Sequence, residues 1–462
     1  MSNLRAIWGS VFFTLLVLAP NLAAADAARV ESLGGVSLFT EDASFVFTNP
    51  AEIGAFSNRV WFSLGMTGSE GVVGVDPHGG AAVTIKEVFT LGVALNRSPA
   101  LYGFDAAIWP VALAYMPDGP GGPLQGPDGP SQTSESLRFP LDVFFGFGDE
   151  SSKTRFGMNF YYAGGSSRVW DLDDSDQDDL ETSTVSGAQT HLFNATLGLS
   201  MGTRADRTRP EVWLRVGNLT AWQDTLSTVE TAPNTTESII DQVLALERDV
   251  RVGGGFRVKL GNATEGLVVS PALTYDAAFG SFRYDDNLIS PDSRAERSAR
   301  DAIAHEARAG VGLAWRGDGL LVQGSASVLM RLLQTVDVID VGDDQFQQTT
   351  TRNWDLSLPE LSIGAEYELL PWLLVRGGLR SSVVGGRNIV SQNQGTGAAD
   401  SPVDFAASQD IQSSPVSVAV DASGGIGLRI KRFALDAIIG GIFVGEGPPN
   451  LLSRVDMSFS FD

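Results

Sequence analysis

Three histidines, His78, His191 and His305, are the residues from which acid–base or metal chemistry would be expected first. No two stand at metal-ligand spacing, and no H-E-x-x-H occurs. The chain has no cysteine, which excludes disulfides, thiolate metal sites and a cysteine nucleophile. Neither a P-loop nor a nucleophile elbow is expected. Gly253-Gly254-Gly255 lacks the following helix that a dinucleotide fingerprint needs. Asp174, Asp176 and Asp178 have the spacing of a calcium loop, but Asp179 replaces the required glycine. Val185 stands where the bidentate glutamate belongs. The run from Asp171 to Glu181 therefore reads as a solvated loop. We expect no catalytic residues, no metal, no cofactor and no enzyme activity.

With 462 residues and a net charge of −23, the chain is a poor partner for nucleic acid. Its mean hydropathy of +0.04 is ordinary. The N-terminus reads as an export signal. Arg5 precedes an apolar run from Ala6 to Leu18, Pro20 breaks it, and Ala23-Ala24-Ala25 offers a cleavage site before Asp26. That run is shorter than the roughly 20 residues of a spanning helix. Residues 1–25 are thus a signal peptide, and no later run is apolar enough for a transmembrane helix.

The rest of the chain alternates with the period of a strand. In His305 to Arg316, Ala307, Ala309, Val311, Leu313 and Trp315 share one face. The pattern recurs at Phe156-Met158-Phe160-Tyr162, Val212-Leu214-Val216, Leu361-Ile363-Ala365-Tyr367 and many other segments. Charges avoid the apolar parity: Arg155, Arg215, Arg251, Arg257, Lys259, Arg376, Asp142, Glu366, Asp436 and Asp456 all fall opposite it. A basic group facing hydrocarbon costs about 2–4 kcal/mol near the midplane. Trp315, Tyr367 and Trp372 flank short turns, and Trp354 ends a long connection, as an interfacial belt would place them.

Connections alternate in length. Short ones lie at 148–154, 202–210, 261–266, 317–318, 370–371 and 431–432. Long loops are expected at 117–137, 164–187, 220–247, 277–304, 332–354 and 382–415. About sixteen strands follow, the second spanning 79–96 and the third 107–116. The expected fold is an all-β transmembrane antiparallel β-barrel of about 14–16 strands with an N-terminal lumenal plug. Residues 26–58 form the plug and 59–462 the barrel.

Residues 29–58 read RVESLGGVSLFTEDASFVFTNPAEIGAFSN. Leu33-Gly34-Gly35, Glu41-Asp42-Ala43 and Asn49-Pro50-Ala51 resemble the N-terminal segment of FadL-type outer-membrane transporters of long-chain fatty acids and other hydrophobic compounds. A related version opens the PorV-type barrels of protein secretion. The resemblance implies a barrel of fourteen strands in the bacterial outer membrane and a hatch folded into its lumen. It implies passive uptake of a hydrophobic small molecule, with outer-membrane lipid around the wall. The PorV-type alternative implies a secreted protein as partner. The plug motif is then Asp42, Asn49, Pro50 and Ala51. Phe39, Phe45, Phe47 and Phe56 are candidate ligand contacts. Pro110, in the expected third strand, is the candidate wall kink for sideways exit, because proline removes a ladder N–H.

Overall fold

In the computed structural model, the described residues are 29, 32–33, 38–39, 43–56, 58–69, 72–86, 88–96, 138–149, 151–175, 180–203, 206–231, 238–262, 266–289, 296–342, 345–396, 404–443 and 454–461. The export signal, Asp42 and Pro110 lie outside them.

Sixteen strands close into one antiparallel barrel in which each strand pairs with its neighbours in sequence, and β1 pairs with β16. The first four are β1 (Arg59–Ser69), β2 (Val72–Ile85), β3 (Phe89–Leu95) and β4 (Arg138–Phe147). The wall continues with β5 (Thr154–Ser175), β6 (Leu180–Met201), β7 (Thr208–Thr231), β8 (Ser238–Leu260), β9 (Gly266–Ile289) and β10 (Glu296–Gly317). It ends with β11 (Leu320–Gly342), β12 (Gln345–Leu370), β13 (Leu373–Thr396), β14 (Asp404–Ile430), β15 (Phe433–Phe443) and β16 (Arg454–Ser460). The even count returns both ends of the barrel to one rim, where the Phe461 amide donates to the Asn58 carbonyl at 2.9 Å.

The sixteen strands are not the sixteen read from the pattern, and they exceed the fourteen implied by the resemblance. The expected second strand, 79–96, is two strands. Ile85 pairs with Phe89 across a tight turn in which Lys86 has φ 54°. Because that pair joins two outward residues, the apolar parity runs unbroken through the hairpin and hides it. Only Glu87 broke the parity, and it stands between the paired residues. The expected third strand, 107–116, lies outside the described residues, and β3 pairs directly with β4.

Five of the six expected long loops are also corrected, while 117–137 lies outside the described residues. β5 continues to Ser175 and β6 starts at Leu180, in register from Thr154↔Met201 to Ser175↔Leu180. Strands β7 to β14 are likewise 22 to 27 residues long, with register shifts along several ladders, as between Asn218 and Trp222 of β7 and between Leu246 and Arg248 of β8. A membrane crossing needs only about 9–11 residues of tilted strand. Beyond that band nothing selects apolar side chains, so the two-residue alternation that marks a strand in sequence fades while the hydrogen-bonded ladder continues. The short connections stand where expected, all on the rim that holds Asn58 and Phe461. Asp206 closes one of them, accepting from the Thr203 amide at 2.7 Å and the Thr203 hydroxyl at 3.0 Å.

The alternation sorts the two faces. Leu214, Leu273, Leu313 and Ile363 point outward and are half exposed, as are Trp315, Trp354, Tyr367 and Trp372. The opposite parity is buried: Arg251 and Arg257 are 1 % exposed, and Asp142 and Asp436 are 0 % exposed. Inner charges are paired across strands. Arg215 Nε lies 3.0 Å from Asp276 Oδ1, and Arg257 and Lys259 share Glu211 at 2.6 and 2.8 Å. Pro359 sits at a register shift between Ser357 and Glu360, where the missing ladder N–H does least harm. There the outward parity passes from Leu356 and Leu358 to Leu361 and Ile363.

An outward face of this kind fits hydrocarbon, and it sets a test. Leu214→Arg, at the middle of the apolar band, should lower folding stability in lipid vesicles by about 2–4 kcal/mol, against about 0–1 for Thr220→Arg at the band's edge. Urea titration of the vesicle-inserted protein reads the difference. Equal costs at both positions would reject a hydrocarbon-facing wall.

Candidate functional site: the N-terminal segment against the inner wall

Two short 3₁₀ helices, Ala43–Phe47 and Pro50–Phe56, lie against the inward-facing side of the wall. The joint between them is built by Asn49-Pro50-Ala51. Asn49 Oδ1 accepts from the Ala51 amide at 3.2 Å, which caps the second helix, and Pro50 supplies a preset φ at its first position. Asn49 and Ala51 are 0 % and 1 % exposed. Two wall glycines make the close approach possible. A Cβ on Gly157 would lie 2.1 Å from the Pro50 carbonyl oxygen, and one on Gly198 would lie 2.0 Å from Asn49 Oδ1. Any larger residue at either place would push the segment off the wall.

Polar contacts fix the segment at both ends. Arg155 donates to Glu52 at 2.9 Å, and the Ser200 hydroxyl donates to the same carboxylate. Burial alone would raise the Glu52 pKa, but Lys259 and Arg155 outweigh it and hold the carboxyl at about 2. Toward the N-terminus, Arg29 makes a two-pronged contact with Glu366 at 2.9 and 3.0 Å. Glu366 also accepts from Arg376 at 2.6 Å, Arg376 reaches Asp436 at 2.5 Å, and Arg429 donates to Asp436 at 3.1 Å. Arg29 thus extends a chain of alternating charges across β12 to β15.

Apolar contacts fill the space between. Phe45 meets Trp213 edge-on at 5.5 Å, and the Arg257 guanidinium sits 3.5 Å above the Phe45 ring. Arg257 also donates to the Leu38 carbonyl at 2.8 Å. Leu38, Phe39, Phe45, Trp213 and Ala272 form one buried cluster. Val46 and Ile53 form another with Ala82, Ala94 and Phe144, with Phe47 packed against it. Burying a side chain of this size contributes roughly 1.5–3 kcal/mol, and an aromatic pair about 0.5–1.5 more.

The structure therefore brings together Asn49, Pro50, Ala51, Phe39, Phe45 and Phe47. The backbone of Phe56 ends the second helix. Asp42 and Pro110 lie outside the described residues. Sequence reading missed Glu52, Arg155, Ser200, Trp213 and Arg257 as docking residues. The inward parity of the basic ones was visible, but their partners lie far apart in sequence. The spacing G-x-S-x-G does occur, at Gly198 to Gly202, against the expectation of no such elbow. Ser200 there is buried on β6 with its hydroxyl committed to Glu52, and no helix follows. Among the described residues, no group of three or more acidic or histidine side chains is placed to hold a metal.

No family model matches this chain, and no curated protein matches it. Among solved structures it is similar to the Pseudomonas putida toluene transporter TodX, at 10 % identity and a TM-score of 0.33 over 96 % of this chain and 97 % of that one. It is similar to a Pseudomonas aeruginosa FadL homologue at 11 % identity and a TM-score of 0.33, over 96 % and 100 % of the two chains. A weaker likeness, with a TM-score of 0.20 at 9 % identity, is to the ferric yersiniabactin uptake receptor FyuA from Yersinia pestis, over 88 % of this chain and 80 % of that one.

Because the chain has no cysteine, a single label at Ala55→Cys reports docking without interference. Glu52→Gln leaves Arg155 buried without its counter-charge, which should weaken docking by about 3–5 kcal/mol and mobilise a nitroxide at position 55. The pH dependence has a fixed sign. The docked carboxyl titrates at about 2 and the free one at 4.5, so docking is fully supported above pH 4.5. That support fades as pH falls toward 2. A nitroxide whose mobility is the same at pH 6 and pH 2.5, or the same in Glu52→Gln, would remove Glu52 from the docking contact.

Proposed function

We propose that this chain is a bacterial outer-membrane channel for passive uptake of hydrophobic small molecules, long-chain fatty acids among them, with residues 26–58 as its hatch. Residues 1–25 serve as the export signal. The observation that carries the reading is the docking of the N-terminal segment inside a closed barrel by contacts that separate into two kinds. Charged contacts at Glu52 and Arg29 anchor it, while Phe39, Phe45 and Phe47 make apolar contacts with the wall. Apolar contacts of that second kind are what an entering hydrophobe replaces at small cost, since one greasy surface is exchanged for another. The anchors then keep the segment in the lumen while its apolar middle yields. Phe39, Phe45, Phe47 and Phe56 are the ligand contacts in this reading, and Asn49-Pro50-Ala51 the pivot.

The tall hairpins of β5 to β14 favour one alternative, a barrel that binds a secreted protein through sheet standing clear of the membrane.

Mass spectrometry of small molecules carried through detergent extraction separates the two. The wild-type protein should retain a stoichiometric hydrophobe that a variant lacking residues 26–58 loses or exchanges. The same variant should show higher single-channel conductance in planar bilayers. An empty barrel that retains a protein partner instead would reject uptake and support the secretion reading.

A further inference from the structure

Two histidines repeat one construction on the outward face. Tyr162 Oη and His191 Nδ1 lie 2.8 Å apart, with ring centroids 6.1 Å apart and planes inclined by 23°. Tyr275 Oη and His305 Nδ1 lie 2.8 Å apart, with centroids 6.1 Å apart and an inclination of 24°. The register is the same in both hairpins. Tyr162 stands opposite Phe193 and His191 opposite Gly164. Tyr275 stands opposite Ala307 and His305 opposite Ala277. Each tyrosine reaches diagonally to its histidine over a small residue. Ala277 is only 1 % exposed although it shares the outward parity of Tyr275, and the edge of Phe279 closes on His305 from the other side.

The height agrees to within one residue. A crossing of about 9–11 residues, counted from the short-turn rim at Thr154 and Gly266, ends at 162–164 on β5 and 274–276 on β9. Both pairs therefore stand at the headgroup plane of the leaflet nearer the long hairpins. The chemistry at that plane is specific. In the tautomer whose Nδ1 accepts a hydrogen bond from the phenol hydroxyl, the imidazole carries its own proton on Nε2. In that tautomer the pair aims an N–H donor away from the tyrosine. An N–H left in hydrocarbon is costly, whereas phosphate oxygens at the headgroup plane accept it. The remaining outward neighbours are uncharged at His191 (Thr220 on β7), and at His305 they are Leu332 on β11 and, along β10, Ile303 and then Asp301 two repeats of the pleat further out.

We propose that the Tyr162–His191 and Tyr275–His305 pairs bind phosphate oxygens of lipid headgroups and so set the height of the barrel in that leaflet. The inference rests on the membrane reading of the outer face but not on what the channel carries.

The full chain, labelled with ¹⁵N-histidine, is inserted into phosphatidylglycerol vesicles in phosphate-free buffer. Dipolar recoupling between ¹⁵N and ³¹P then reads proximity directly. The Nε2 signals of His191 and His305 should dephase, and that of His78, buried on the inward face of β2, should not. Tyr162→Phe with Tyr275→Phe should cut the dephasing at least two-fold while the barrel still inserts. An inserted barrel with no dephased histidine overturns the proposal. So does dephasing that the tyrosine variants leave unchanged, because the pair would then not be the device. Failure to insert at all would instead overturn the membrane reading, while uptake of a hydrophobe would be tested apart from either.

Discussion

In a closed antiparallel barrel the neighbours of each strand satisfy its backbone, so side-chain alternation alone decides what each face meets. That constraint is strict where the outer face meets hydrocarbon, since an unpaired N–H or C=O has no water to turn to. It explains why this chain tolerates so many buried charges. An arginine or carboxylate on the wrong parity would face lipid, and on the right parity it can meet a partner, often a charge on another strand. Arg215 finds Asp276, and Arg376 finds both Glu366 and Asp436. Buried pairs of this sort add little net stability compared with apolar packing, but breaking one is expensive. The inner wall is therefore a lattice of fixed partners rather than a loose polar lining.

The N-terminal segment is fitted to that lattice. It brings one carboxylate, Glu52, to Arg155 and Lys259, and one guanidinium, Arg29, to Glu366. Between these ends it brings aromatic and aliphatic side chains to Trp213 and Phe144. Its backbone approaches the wall where Gly157 and Gly198 leave room. A segment with so few apolar residues has no core of its own, so its shape is dictated by the surface it meets. The wall residues are therefore as much part of the small structure of residues 43–56 as the segment itself.

The sequence made the membrane band legible because hydrocarbon imposes a rule on every second residue. Leu313 and Trp315 could be placed outward, and Arg257 and Asp436 inward, from parity alone. The turn at Lys86 was not legible, because pairing Ile85 with Phe89 keeps the parity continuous through the hairpin. Trp213 was missed for the opposite reason. It is a large aromatic on the charged parity, and only the arrival of Phe45 from a distant part of the chain explains it. The joint at Asn49-Pro50-Ala51 was visible as turn chemistry, but its seat on Gly157 and Gly198 depends on a register that no local pattern encodes. The Tyr162–His191 and Tyr275–His305 pairs were hidden in the same way, since each joins residues on two strands.

The least legible part is also the largest difference between pattern and fold, namely the strand length beyond the apolar band. Segments such as 164–187 and 382–415 read as loops because their apolar residues, Ile389 and Ile411 among them, are too sparse among Asp, Ser, Gly and Gln to keep an alternation. A strand beginning in open solvent needs its own apolar face to hold a register. These strands do not begin there. Each leaves the membrane already paired, so extending the ladder orders few residues at a time and gains hydrogen bonds as it goes, even where the register shifts, as between Asn218 and Trp222 or Val384 and Gly386. Polar sequences that would stay irregular on their own are carried into sheet by the barrel beneath them. The surface presented on that side is consequently built on a continuation of the wall, joined to the part that holds Arg257 under Phe45 by ladders that shift register on the way, at Asn218/Trp222 and at Leu246/Arg248.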